Sequence, residues 1–179
     1  RKMFQNLGEE LDYDIEYEQC GGMTVIQNEN QLAVVKAFVD RQRQSGLDVE
    51  LLDTVQARER QPSLSPGILA ATYSPLDARV NPLKTTFGYA RAAKRNGAEI
   101  ITGTEVTGIA AENGRVKGVL TEQGFIGTET VVNAAGVWAP HIARMAGIET
   151  PIKPRRGQLI VTEAIPGFLR GELWSARYL

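Results

Sequence analysis

The stretch Glu129-Thr-Val-Val-Asn-Ala-Ala-Gly136-Val-Trp-Ala-Pro-His-Ile-Ala-Arg-Met-Ala-Gly147 constrains the fold more than any other part of the chain. The β-branched run Thr130, Val131, Val132 predicts a buried strand, after which Ala134, Ala135 and Gly136 leave the backbone without a side-chain shield. A helix is predicted to follow at once. Pro140 suits a first helical position because its φ is already helical, and Gly147 suits the position just past the end. Trp138, Ile142, Met145 and Ala146 would share one face. A strand that opens into a helix through bare backbone aims free N–H groups and the positive end of the helix dipole at one spot, which suits a phosphate or another anion. Spacing by itself favours the plainer reading, a tight turn whose small residues serve packing.

Upstream, a short helix is expected over Lys2 to Leu11. Ile15-Glu-Tyr17 and Met23-Thr-Val-Ile26, separated by Gly21-Gly22, predict a hairpin. Gln31 to Ser45 carries Leu32, Val35, Phe38 and Val39 on one face, an amphipathic helix that Gly46 can end. Val49 to Leu52 predicts a strand, Asp53 or Thr54 a cap for a helix to Gln61, and Ile68 to Tyr73 another strand. Asn81 can cap a helix whose first position is Pro82, with Leu83, Phe87, Ala90 and Ala93 inward and Asn96-Gly97 as the stop. Strands are then expected at Glu99–Thr102, Thr104–Ala111, Arg115–Thr121, Phe125-Ile126 and Thr130–Asn133, with Asn113-Gly114 as a hairpin turn. Beyond Pro151 and Pro154, a strand is predicted at Leu159–Thr162. An edge strand is predicted from Leu173 to Leu179.

The 179 residues are 42% hydrophobic and 23% charged, the composition of a globular protein long enough to bury a core. With a formal charge of -1 and cations scattered among acids, no basic footprint for nucleic acid is present. No apolar run approaches bilayer length and no leader is visible, so a cytoplasmic location is the expectation. Cys20 is the single cysteine and His141 the single histidine, which excludes an internal disulfide and leaves no metal site to expect. Cys20 is expected to be buried beside Gly21, and His141 to lie at the surface. Glu9 and Glu10 point apart on a helix and make a poor acid–base pair, so no catalytic residue is assigned. Tyr13, Tyr17, Tyr73 and Tyr89 are more readily core than pocket.

Val-Val-Asn-Ala-Ala-Gly-Val-Trp-Ala, followed by Pro151-Ile-Lys-Pro-Arg-Arg-Gly-Gln158, resembles the interior of the D-amino-acid oxidase-like (DAO) family of FAD-dependent oxidoreductases. Within it the chain is most similar to the sarcosine oxidase β subunit, glycine oxidase and dimethylglycine dehydrogenase type. The resemblance implies an α+β (mixed α/β) fold, with the central part of a glutathione-reductase-like FAD domain, its β-meander, and part of a mixed-sheet substrate domain. Residues 1–76 and 151–179 would belong to the substrate domain and 77–150 to the FAD domain. It also implies FAD as cofactor, with Val106, Ala134, Ala135, Gly136 and Trp138 beside it and Arg156 and Gln158 as substrate-side candidates.

The implied reaction is hydride transfer from the carbon next to nitrogen of sarcosine, glycine or a related N-substituted amino acid to the flavin. Partners would be the small amine substrate and other subunits of a hetero-oligomeric oxidase, with neither nucleic acid nor membrane among them. The G-x-G-x-x-G turn that holds the pyrophosphate is missing, since no two glycines lie two positions apart. The chain therefore reads as an internal piece that is itself inactive and holds FAD weakly or not at all. Two alternatives stay open: a non-catalytic subunit-interaction module, and another FAD dehydrogenase such as the glycerol-3-phosphate type.

Overall fold

A computed structural model of the chain describes residues 2–163 and 165–178. It forms two compact units, one made of residues 1–99 and 163–179 and the other of residues 100–162. The helix that begins at Pro82 packs inside the first unit.

The first unit opens with two short helices, α1 (Lys2–Gln5) and α2 (Leu7–Leu11), where one was expected. Its sheet contains β1 (Gly22–Ile26), β2 (Glu50–Asp53), β3 (Ala70–Ser74) and β7 (Glu172–Ser175) in the order β2-β3-β1-β7. β1 is antiparallel to β3 and parallel to β7. Met23 and Val25 pack on one face with Leu52, Ala71 and the loop residues Leu64 and Ile68. Ile26 packs on the other with Val35, Val39 and Val49. Burial from both sides is why Met23 to Ile26 is nearly continuous in apolar residues instead of alternating.

That centrality also overturns the expected hairpin. Both hydrogen-bonding edges of β1 are taken, one by β3 and the other by β7, and Ile15 to Tyr17 remains irregular. Ile15 is buried with Leu7, Leu11 and Ala92, and Glu16 holds φ at 54°, which breaks an extended run. Gly21 has a left-handed φ of 71° and donates its N–H to the Asp77 carbonyl instead of turning a hairpin.

Two helices cover the sheet. α3 (Glu29–Gln44) starts where the Asn28 side chain accepts the Gln31 N–H. α4 (Thr54–Arg60) begins with a reciprocal cap, in which Asp53 accepts from the Gln56 N–H while the Gln56 side chain accepts from the Asp53 N–H. α5 (Pro82–Arg95) is capped as expected by Asn81, which accepts from the N–H groups of Leu83 and Lys84.

The buried face of α5 is not the expected one. Gly88 and Ala92 are buried, whereas Leu83 and Phe87 are 69% and 61% exposed. A Cβ on Gly88 would lie 3.1 Å from Leu11, so the close approach of α2 selects the smallest residues of the helix. The contact face thereby lies on nearly the opposite side of the helix from the predicted stripe.

Glu16 sits between Lys84, 2.7 Å away, and the Asn81 amide, 2.7 Å away. The Lys84 ammonium first and the Asn81 donor second hold its carboxyl below the usual carboxylate range, and the same contact raises Lys84.

The second unit is an antiparallel meander, β4 (Val106–Glu112), β5 (Arg115–Thr121) and β6 (Gly124–Gly127), with Asn113 and Gly114 both at positive φ in its first turn. Glu99–Thr102, Thr130–Asn133 and Leu159–Thr162, expected as strands, belong to no regular strand among the described residues. Val132 is 85% exposed, and Leu159 and Ile160 are each 88% exposed. A β-branched run becomes a strand only against a neighbour, and the three strands of the meander pair with one another. Of the edge strand expected over Leu173–Leu179, the first part is present in β7, whereas Ala176–Tyr178 forms a 3-10 turn and Leu179 lies outside the described residues. The mixed α and β architecture agrees with the expected fold class.

Candidate functional site

The meander ends where Thr128 donates its N–H to the Lys117 carbonyl. The Thr128 hydroxyl then donates to the Thr130 carbonyl and accepts from the Thr130 N–H, which bends the chain away from the sheet. It runs without regular structure to Asn133 and closes into a 3-10 turn over Gly136–Trp138, followed by helix α6 (Ala139–Met145).

Asn133 spans that turn. Its amide N–H donates to the Ala139 carbonyl at 2.8 Å, and its Oδ1 accepts the Ala135 N–H at 3.3 Å. The Trp138 N–H donates to the Ala135 carbonyl at 3.0 Å. Sequence reasoning passed over Asn133; the signal was a short amide side chain placed directly before a run of small residues, where it competes for backbone partners.

Gly136 has φ of 54°, and a Cβ built there would meet no atom within 4 Å. The turn is therefore open on that side, not filled by its own side chains. Ala134 is exposed and Ala135 half-buried, so bare main chain forms the surface from Asn133 to Gly136. Pro140 lies in the first turn of α6, and Gly147 ends it at φ of 72°, with the N–H groups of Gly147 and Ile148 closing onto Arg144 and Ala143. Ala139 and Ala143 are the buried residues of α6, with Ile142, Met145 and Ala146 half-buried beside them. Trp138 departs from the expected shared face and is 71% exposed.

Helix α6 packs against β4, whose first residue is Val106. Val106 is half-buried and paired with Thr121, and the register slips directly after it, before Gly108. The strand bearing Val106 and the helix leaving the open turn are thus joined in one unit. Arg156 and Gln158 stand exposed in no regular element. Among the described residues no group of His, Cys, Asp and Glu is placed to hold a metal ion, and no helix is long and apolar enough to cross a membrane.

A family profile described as FAD dependent oxidoreductase (DAO) matches residues 1–177. The hydrogen cyanide synthase subunit HcnC of Pseudomonas aeruginosa is 32% identical over 177 residues, covering 98% of this chain and 42% of its own length. Human mitochondrial sarcosine dehydrogenase is 33% identical over 173 residues, 93% of this chain and 19% of that protein. One subunit of the anaerobic glycerol-3-phosphate dehydrogenase of Escherichia coli K12 is 32% identical over 152 residues, 82% of this chain and 28% of that protein. Among solved structures, L-proline dehydrogenase from P. horikoshii matches with a TM-score of 0.78 and 32% identity, over 84% of this chain and 40% of that one. The chain spans about two-fifths of the length of HcnC and of the proline enzyme. With nearly every residue inside the family match, and the fold shared with a solved member, the chain belongs to the DAO family of FAD-dependent oxidoreductases.

Proposed function

We propose that this chain is part of an FAD-dependent oxidoreductase that oxidises sarcosine, glycine or a related N-substituted amino acid, and that Ala134 to Trp138 together with Val106 lie against the flavin nucleotide. The observation that carries this reading is the open backbone at Gly136, where a side chain would project into free space. A flat nucleotide needs such bare main chain, and the residues present fit it: small side chains at Ala134 and Ala135, a left-handed glycine, and the unpaired first N–H groups of a helical turn. FAD, when bound, supplies hydride acceptance.

The chain's own residues would bind and orient. Asn133 holds the turn in its open form, the Val106 main chain would offer a donor and an acceptor at the start of β4, and Trp138 provides an exposed ring. Arg156 and Gln158 are proposed on the substrate side, where a guanidinium and an amide suit a carboxylate. The substrate domain is assigned to residues 1–76 and 151–179 and the FAD domain to 77–150. Association with other subunits is proposed from the likeness to HcnC, itself described as a subunit.

The identity to the glycerol-3-phosphate dehydrogenase chain supports a second reading, oxidation of a polyol phosphate. Anaerobic reduction of the flavin in the full-length protein separates the two. Bleaching by sarcosine or glycine at least tenfold faster than by glycerol 3-phosphate is expected; the reverse order would replace the amine reading.

A further inference from the structure

The face of the first sheet that lies under α3 changes in bulk along its length. Ile26 and its cross-strand partner Ala70 pack with Val35 and Val39 of the helix. The next two pairs on that face, Thr24 with Thr72 and Gly22 with Ser74, carry progressively smaller side chains. A cavity of about 160 Å³ remains between these pairs and the helix, roofed by Val35 and Phe38 and walled by Leu47 and Val49 from the chain that enters β2. A dry hole of about 150 Å³ is enough to hold a benzene ring.

The two ends of the cavity differ in chemistry. Val35 and Val49 are 1% and 6% exposed and make the inner end apolar, while Phe38 and Leu47, partly open to solvent, stand at its mouth. The other end is polar and incompletely paired. A Cβ on Gly22 would run into the Asp77 carboxylate, so glycine there lets that carboxylate lie over the end of the sheet. Its Oδ1 accepts the Ser74 hydroxyl at 3.0 Å, whereas its Oδ2 takes no hydrogen bond or ion pair among the described residues. The hydroxyls of Thr24 and Thr72, side by side on neighbouring strands, also bond to no other described residue.

We propose that this cavity binds a small neutral aryl alcohol, its ring between α3 and the sheet and its hydroxyl at Asp77 and the two threonines. The flat floor of a sheet under a helix suits a planar ring, and the polar end selects the group the ring carries. A hydroxyl gives its proton to Asp77 Oδ2 and accepts one from a threonine. An ammonium only donates and would leave both threonine protons unmatched; a carboxylate would meet the charge of Asp77. The assignment does not depend on the flavin reading.

Methyl-detected NMR titration of the chain with phenol, toluene, benzylamine and benzoate tests it. Phenol is expected to shift the Val35 and Val49 methyl resonances saturably and to leave that of Met23, on the opposite face of β1, in place. Toluene should bind about fivefold more weakly, the loss of one neutral hydrogen bond, and benzoate should not bind. Thr72→Val, which keeps the shape and the β-branched side chain, should bring phenol down to the affinity of toluene without weakening toluene. Asp77→Asn should admit benzoate. No saturable shift at Val35 and Val49, an equal shift at Met23, equal binding of phenol and toluene, or benzylamine binding more tightly than phenol would overturn the proposal.

Discussion

At the scale of single residues, Gly136 and Asn133 carry the functional reading. A β-branched residue at 136 would adopt a left-handed φ that such side chains avoid, and would project its methyls into the space assigned to the nucleotide. Gly136→Val in the full-length protein is therefore expected to weaken flavin retention by at least tenfold, read from the flavin absorbance per protein after desalting. Full occupancy would contradict the site. The Ala-Ala-Gly run was legible because a sequence shows directly where side chains are missing. The fold of Asn133 back over the turn was not, because it depends on where Ala139 comes to lie.

Glu16 gives a second residue-scale expectation. A carboxyl held below its ordinary range stabilises the fold above that range, and this contribution is lost as pH falls through the depressed value. Lys84 is raised, so its contribution is present below the usual lysine range and lost as pH climbs through the raised value. The contact is thus fully stabilising around neutrality and fades at both extremes. The difference in urea midpoint between the wild type and Glu16→Gln should shrink on going from neutral to acidic solution, and a constant difference would show that the pairing contributes nothing. Both groups are exposed, so the effect at neutrality is expected to be small.

At the scale of elements, the first sheet is held by a strand covered on both faces. Ile26 is fully buried between Val35, Val39, Val49 and Ala70. Ile26→Ala should cost about 2–5 kcal/mol in urea unfolding, the range for a large aliphatic side chain deleted from a packed core. A loss well under 1 kcal/mol would mean that α3 does not pack there as described. Elements set by local chemistry were readable in advance: Asp53 before α4, Asn81-Pro82 before α5, and Asn113-Gly114 between β4 and β5. Those set by distant partners were not. Which face of α5 is buried depends on α2 pressing against Gly88, and the pairing of β1 depends on β7, nearly the whole chain away.

At the scale of the whole molecule, the two units differ in how much of their apolar sequence they use. The first buries its apolar runs on both faces of a mixed sheet. The second leaves Val132, Leu159, Ile160 and Val161 more than four-fifths exposed. We propose that these exposed apolar runs pair with further strands in the full-length protein, in keeping with a chain that spans about two-fifths of a relative such as HcnC. The missing G-x-G-x-x-G turn points the same way, since the pyrophosphate would be held by residues other than these. On the proposed reading the open turn and the head of β4 together face the nucleotide. Amide hydrogen exchange of the full-length protein with and without FAD tests it most directly: strong protection of Val106, Gly136 and Val137 on binding is the expected result, and unchanged exchange at all three in a protein that has bound FAD would contradict it.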